Sequence, residues 1–257
     1  MHPTRLPAAL LAVASLATGA NAQQPFTWQG SLAAGRTIEI ANVNGDVVAV
    51  AGSQLRVTAH KSARRSNPDD VEIRVVEHAD GVTICAVYPA PQGRAPNECR
   101  PGGGGSNVSR DNDVTVQFRV EVPAGVAFVG RSTNGAVTAT GLDSDVRAST
   151  TNGGITVSTS GLARASTTNG AIEVSMGRAD WTGELAFATT NGTITLTLPA
   201  SAGADVTAET TNGTIASDFP ITVSGRFSRT RLSGTFGDGG RGLRLATTNG
   251  DIQIRRR

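Results

Sequence analysis

Outside its first twenty-two residues the chain offers few groups suited to covalent, metal or acid–base chemistry: Cys85, Cys99, His60, His78 and a scatter of carboxylates. A cysteine becomes a nucleophile when a base or cation beside it favours the thiolate. No histidine lies near Cys85 or Cys99, and the segment between them, AVYPAPQGRAPNE, is rich in proline and glycine. In an exported chain the pair is expected to form a disulfide. In the chain-entropy picture, closing a loop of this size contributes about 3 kcal/mol. His60 ends an alternating stretch beside Lys61, and His78 lies in EHADG, which reads as a turn. A triad or a zinc site needs further groups at fixed geometry, and the sequence supplies none beside either histidine. No G-x-S-x-G elbow occurs. The expectation is no catalytic residue, no metal and no cofactor.

Carboxylates are the one route to glycan cleavage, which needs paired acids on one surface. Asp143, Asp145, Glu173, Asp180, Glu184, Asp205, Glu209 and Asp218 are spread along the chain and read as a solvated face. Calcium-binding repeats carry an aspartate at every turn. Here Asp46 and Asp251 follow Asn-Gly only near the two ends, and Asp111 and Asp113 share a loop. The aromatic groups that could hold sugars, Trp28, Tyr88 and Trp181, sit on three separate segments. Trp181 reads as a cap over local core.

Formal charge is +2, and the first twenty-two residues contain a single charged residue, Arg5, so the remainder carries +1. That excludes a broad electrostatic footprint for nucleic acid. Arg255, Arg256 and Arg257 read as a solvated tail. Arg5, the apolar run LPAALLAVASLATG (6–19) and Ala20-Asn21-Ala22 have the layout of a secretory signal cut before Gln23. The apolar run is too short to span a bilayer. The expectation is an exported protein of the periplasm, cell surface or medium, with no membrane span after cleavage.

The elements that would position these groups repeat. RSTNGAVTAT (131–140), STTNGGITVST (149–159), STTNGAIEVSM (166–176), ATTNGTITLTL (188–198), ETTNGTIASDF (209–219) and ATTNGDIQIRR (246–256) are near copies, and IANVNGDVVAV (40–50) is an earlier relative. The columns three and five residues after each Asn are apolar, and so are those four and six before it. Polar residues fill the alternate places. Strict parity of this kind marks strands with one face inside and one wet. Both residues of Asn-Gly tolerate positive φ, which suits a sharp corner.

Two folds fit. In an antiparallel meander Asn-Gly would be a hairpin turn. In a parallel β-solenoid it would be a corner stacked on the next. A hairpin leaves the match between the surrounding residues unexplained. Stacking at about 4.8 Å explains it, with Asn44, Asn134, Asn152, Asn169, Asn191, Asn212 and Asn249 forming a ladder of amides. The all-β solenoid is the fold expected, right-handed by the crossover rule. The Asn spacings are 18, 17, 22, 21 and 37 from Asn134 onward. The last implies a degenerate coil or an insertion around 226–242. One domain is expected over 23–257: a less regular part, 23–125, with a disulfide-bounded flexible loop at 85–113, then regular coils at 126–257.

Three blocks carry a family resemblance: TIEIANVNGDV (37–47), VEVPAG (120–125), and GDGG (237–240) followed by LRLATTNGDI (243–252). In this order they resemble a bacterial domain family of unknown function labelled as candidate adhesins, related to head-GIN-domain auto-transporter adhesins. The resemblance implies a β-solenoid-like domain in an envelope or surface protein, with no catalytic residues to carry over. The cysteine-bounded insertion departs from the family's simplest pattern. The function expected is a non-enzymatic scaffold whose partner is an envelope or surface component, protein or glycan. The alternative is a polysaccharide-active β-helix enzyme using outward carboxylates.

Overall fold

The computed structural model of the chain describes residues 25–103, 109, 111–224 and 228–257. The secretory signal expected at 1–22 lies outside them. In chain order the first strands are β1 (Phe26–Gly30), β2 (Thr37–Ala41), β3 (Val47–Ala51), β4 (Leu55–Ser62), β5 (Glu72–His78), β6 (Gly81–Val87) and β7 (Thr115–Val122). The repeats then supply β8 (Ala127–Arg131), β9 (Val137–Leu142), β10 (Val146–Ser149), β11 (Ile155–Thr159), β12 (Ala163–Ser166) and β13 (Ile172–Met176). They continue with β14 (Glu184–Ala188), β15 (Ile194–Leu198), β16 (Ala204–Glu209) and β17 (Ile215–Ser217). Last come β18 (Thr222–Val223), β19 (Arg231–Phe236), β20 (Gly242–Ala246) and β21 (Ile252–Arg256).

These strands form two sheets. The front sheet runs β1-β4-β7-β3-β9-β11-β13-β15-β21-β17, and the back sheet runs β18-β19-β16-β20-β14-β12-β10-β8-β2-β6-β5. Each Asn-Gly joins a back strand to a front strand, and successive coils pair in parallel. The structure is therefore an all-β repeat fold with mostly parallel pairing, and the antiparallel meander is excluded. Antiparallel strands appear only toward the ends, where β1, β4 and β5 close one side and β18 and β19 the other. Closing strands of this kind protect sheet edges that would otherwise recruit another chain.

The core lies between the sheets. Val47, Val137, Ile155, Ile172, Ile194 and Ile252 form one buried column. Opposite them, side-chain sizes are exchanged rather than repeated. Gly130 leaves room for Phe128, whose ring would lie 3.0 Å from a Cβ added there. Two coils on, the small buried Ala163 and Ala165 are followed on the next strand by Leu185 and Phe187, with Ala165 in register with Phe187. Complementary volumes of this kind keep a core dense without identical residues.

Stacking order departs from sequence order at both ends. β6 and β7 form a coil that stacks on β2 and β3, and residues 88–114 replace its Asn-Gly corner. At the other end, β20 and β21 slot between β14–β15 and β16–β17. The long gap holds β18 and β19. Because β19 occupies the outer side of β16 in antiparallel fashion, the chain's last coil can pair in parallel only on the inner side.

The corners also correct one expectation. Among the described residues Asp111 alone, of all non-glycine residues, has positive φ, so no ladder asparagine is left-handed. Three of the corner glycines, Gly45, Gly170 and Gly250, do take positive φ, and stacking gives glycine a further reason. A Cβ on Gly135, Gly153, Gly170 or Gly192 would lie 2.0–2.1 Å from the carbonyl oxygen of the stacked Asn-Gly glycine.

Candidate functional site

Two polar ladders run along the corners. The outer one is made of side-chain amides. Asn134 donates to Asn44 at 2.8 Å, Asn152 to Asn134 at 2.8 Å, Asn169 to Asn152 at 2.8 Å and Asn191 to Asn169 at 2.6 Å. Asn249 then donates to Asn191, and Asn212 to Asn249, each at 2.7 Å. Every bond points the same way, so the amide dipoles add and the bonds polarise one another. The inner ladder is made of hydroxyls two residues before each Asn. Ser132, Thr150, Thr167, Thr189, Thr210 and Thr247 are buried, and each donates to a glycine carbonyl of the adjacent coil at 2.8–3.0 Å. Each buried hydroxyl is thereby satisfied. Thr151, Thr168, Thr190 and Thr248 stand exposed beside the amides.

The insertion caps the donor end of the amide ladder. Asn44 turns its amide toward the Val114 carbonyl at 3.4 Å. Tyr88, the chain's only tyrosine, donates to the carbonyls of Val114 at 3.0 Å and Asn44 at 3.3 Å. Burial pushes its phenol up to about 12. A raised pKa means that the folded state holds the proton more tightly than the unfolded one. The resulting stabilisation is complete below about pH 10 and is lost as the pH rises toward 12. Absorbance titration of tyrosinate is expected to give a midpoint near 12 in the native protein and near 10 in denaturant. A native midpoint near 10 would place Tyr88 outside this cap.

Residues 88–103 do not behave as their composition suggests. They fold back over the outer face of β6, a strand buried along its whole length. Cys85 and Cys99 are bonded, with Cα atoms 5.6 Å apart, and Asn97 is buried with its amide on the Tyr88 carbonyl. Residues 104–108 and 110 of the loop lie outside the described residues. Thiol titration of denatured, unreduced protein is expected to find essentially no free thiol, and two would remove the bridge.

Beneath this segment lies a cluster not anticipated from sequence. Glu39 is buried on the outer side of β2. It accepts from Arg131 Nε at 2.7 Å, the Gly102 amide at 2.8 Å and Thr83 Oγ1 at 3.1 Å. Thr83 Oγ1 lies 3.1 Å from His78 Nε2, and His78 Nδ1 accepts from the Asp80 amide at 3.3 Å. His78 is thus the last residue of a strand rather than part of a turn. A nucleophile requires the imidazole to accept the hydroxyl proton. Here the proton order runs the other way: the Asp80 amide fixes Nδ1 as acceptor, Nε2 donates to Thr83, and Thr83 donates to Glu39. Thr83 is also fully buried. The arrangement holds the insertion onto the sheet and cannot deprotonate the hydroxyl.

Other candidate groups are similarly engaged. Asp46 accepts from the Ala136 amide at 2.8 Å and Asp251 from the Thr214 amide at 2.8 Å, so both brace neighbouring coils. Asp113 accepts from the Ser66 amide first of all, and from those of Arg65 and Arg64, which hold its carboxyl down at about 2. A general acid near neutrality needs the opposite shift. Trp181 is buried and donates to the Gly242 carbonyl at 2.9 Å, while Trp28 is half-buried over Gly30. Among the described residues no group of three His, Cys, Asp or Glu side chains is placed to hold a metal. Nor is any helix among them long and apolar enough to cross a membrane.

The family model described as Toastrack DUF4097 matches residues 108–255, more than half of the chain. The chain belongs to the Toastrack DUF4097 family. The family match takes in the regular coils and leaves the disulfide, Tyr88 and Glu39 on its N-terminal side. No curated protein matches the chain. Among solved structures it is similar to a candidate cell adhesion protein from Clostridium sporogenes, at 13% identity and a TM-score of 0.46, over 91% of this chain and 100% of that one. It is also similar to a candidate adhesin from Bacteroides fragilis, at 10% identity and a TM-score of 0.37, over 90% and 97% of the two chains.

Proposed function

We propose that this toastrack chain is an exported, non-enzymatic scaffold that presents its outer faces to a component of the cell envelope or surface. The observation that carries this reading is how the polar groups are used. The amide ladder, the hydroxyl ladder, Glu39, Thr83, His78, Asp46, Asp113 and Asp251 all bond within the protein. What is left outward is a regular, largely polar surface, which suits recognition rather than bond-making. The leader at 1–22 supports export, and residues 23–257 then form a single mature domain.

Two measurements test this. N-terminal sequencing of exported protein should begin at Gln23. Purified residues 23–257, added to washed envelopes of the producing cell, should sediment with them. Retention in the cytoplasm with an uncut N-terminus, or full recovery in the supernatant, sinks the reading. Release of new reducing ends from a polysaccharide would favour the enzyme alternative instead.

A further inference from the structure

Residues 88–103 cover one end of the back sheet's outer face. Beyond it, β10 and β12 carry two adjacent arginines on this face. Parallel register sets Arg147 directly opposite Arg164 and Val129 opposite Arg147. Arg244 continues the row two strands further on, beyond Ala186. Like charges directly opposite one another in a ladder are unfavourable. Among the described residues neither Arg147 nor Arg164 has a carboxylate partner: Arg164 donates to the Glu184 carbonyl at 3.0 Å instead. Two acids lie near the row, and neither is paired with Arg147 or Arg164. Asp145 accepts from the Leu162 amide at 2.9 Å and lies 3.9 Å from Arg178, and Glu184 is exposed at the start of β14.

A groove of about 400 Å³ is lined by both arginines, with Asp145, Ala127, Val129 and Leu162 among its other lining residues. We propose that this groove binds a linear polyuronate glycan, laid across the strands with two of its carboxylates on Arg147 and Arg164. Guanidinium groups match carboxylates in planar, paired hydrogen bonds. Adjacent strands hold the backbones of the two arginines about 4.8 Å apart, so both side chains can reach one bound chain. The apolar lining suits the C–H faces of the rings, with the charged groups fixing orientation. The chain's near-zero net charge gives little general attraction for polyanions, so the site must act through local geometry. This inference rests on the scaffold reading above and names its ligand class.

The test is affinity electrophoresis of residues 23–257 through gels containing polygalacturonate, with dextran and double-stranded DNA as comparison matrices. Polygalacturonate should retard the protein, whereas dextran should not and DNA should do so far less. R147S/R164S should weaken polygalacturonate binding about tenfold or more, since it removes two charge-assisted contacts, while its melting temperature stays at or above wild type. R255S/R256S removes the same charge elsewhere and should bind as wild type. No retardation, equal loss in R255S/R256S, or equal retardation by DNA overturns the proposal. Failure here with sedimentation on envelopes intact removes the polyuronate alone. Failure of both removes the scaffold reading as well.

Discussion

Ile172→Asp abolishes the cooperative thermal transition of the native domain. Ile172 is 1% exposed and is stacked in register between Ile155 and Ile194, so the new carboxylate has apolar neighbours above and below. An uncompensated buried charge costs about 3–5 kcal/mol, and truncating the isoleucine adds a cavity term. The sum approaches the whole stability of a typical domain, about 5–15 kcal/mol. The site has no donor to share, because the neighbouring strands' amides are already paired. Its pKa would rise to keep the group neutral, so any residual stability of the variant should be greater at acid pH and fall as the pH rises. Glu173→Gln, one residue on and facing solvent, should stay within about 0.5 kcal/mol of wild type. Circular dichroism melts of the two variants decide the matter: an unchanged melt for Ile172→Asp would remove the column's inward assignment.

The sequence made that column legible because stacking in register puts like residues together, and six near copies expose the parity. Asn44 through Asn249 could be placed on one edge for the same reason. What a period does not fix is which coil lies next to which. A parallel strand pairs equally well with a coil distant in sequence. Nothing in ATTNGDIQI, therefore, says that Asn249 stands between Asn191 and Asn212. That order follows from β19 closing the outer side of β16, and RFSRTRLSGTF carries no repeat to announce it. That β6 and β7 together form a coil was hidden in a similar way, although each strand alternates legibly. Their corner is occupied by an insertion of proline and glycine, so the coil lacks the Asn-Gly by which the others are recognised.

Glu39 was missed for a physical reason too. In TIEIA it occupies the outward parity, where an acid ordinarily meets water. Its burial depends on Gly102 and Arg131, 63 and 92 residues away, and on a cover that composition alone reads as loop. A usable signal existed in the register: β2 pairs with β6 so that Glu39 stands opposite Thr83, but that register is known only once the displaced coil is found. The aromatic residues follow the same logic. Trp181 was legible as a cap because it lies in an insertion between coils, and it buries its ring while its N–H reaches the Gly242 carbonyl.

The adjacent glycines of one corner separate two explanations for Asn-Gly. Neither Gly153 nor Gly154 has a left-handed φ, so if glycine serves backbone freedom alone, neither should resist substitution. If it serves close stacking, only Gly153 should. A Cβ on Gly153 would lie 2.1 Å from the Gly135 carbonyl oxygen, 2.5 Å from its carbon and 2.9 Å from the Ala136 nitrogen, all of them backbone atoms rather than a flexible side chain. A Cβ on Gly154 would meet nothing nearer than the Ala171 carbonyl oxygen at 3.6 Å. Ala136 and Ala171 already occupy the column of Gly154 in the neighbouring coils. Gly153→Ala is therefore expected to force coils apart and break local ladder bonds, costing roughly 3 kcal/mol or more. For a domain of this size that is a fall of about 6–12 °C in Tm. Gly154→Ala should leave Tm unchanged or raise it, since it only reduces the freedom of the unfolded chain, an effect of about 0.4–1 kcal/mol. Equal melting temperatures for the two variants would refute the stacking account. The contrast also bears on how such a fold extends. Each corner's carbonyl fills the space where the next corner's side chain would be, so one alanine at the stacking position interrupts the column while its neighbour is free to vary.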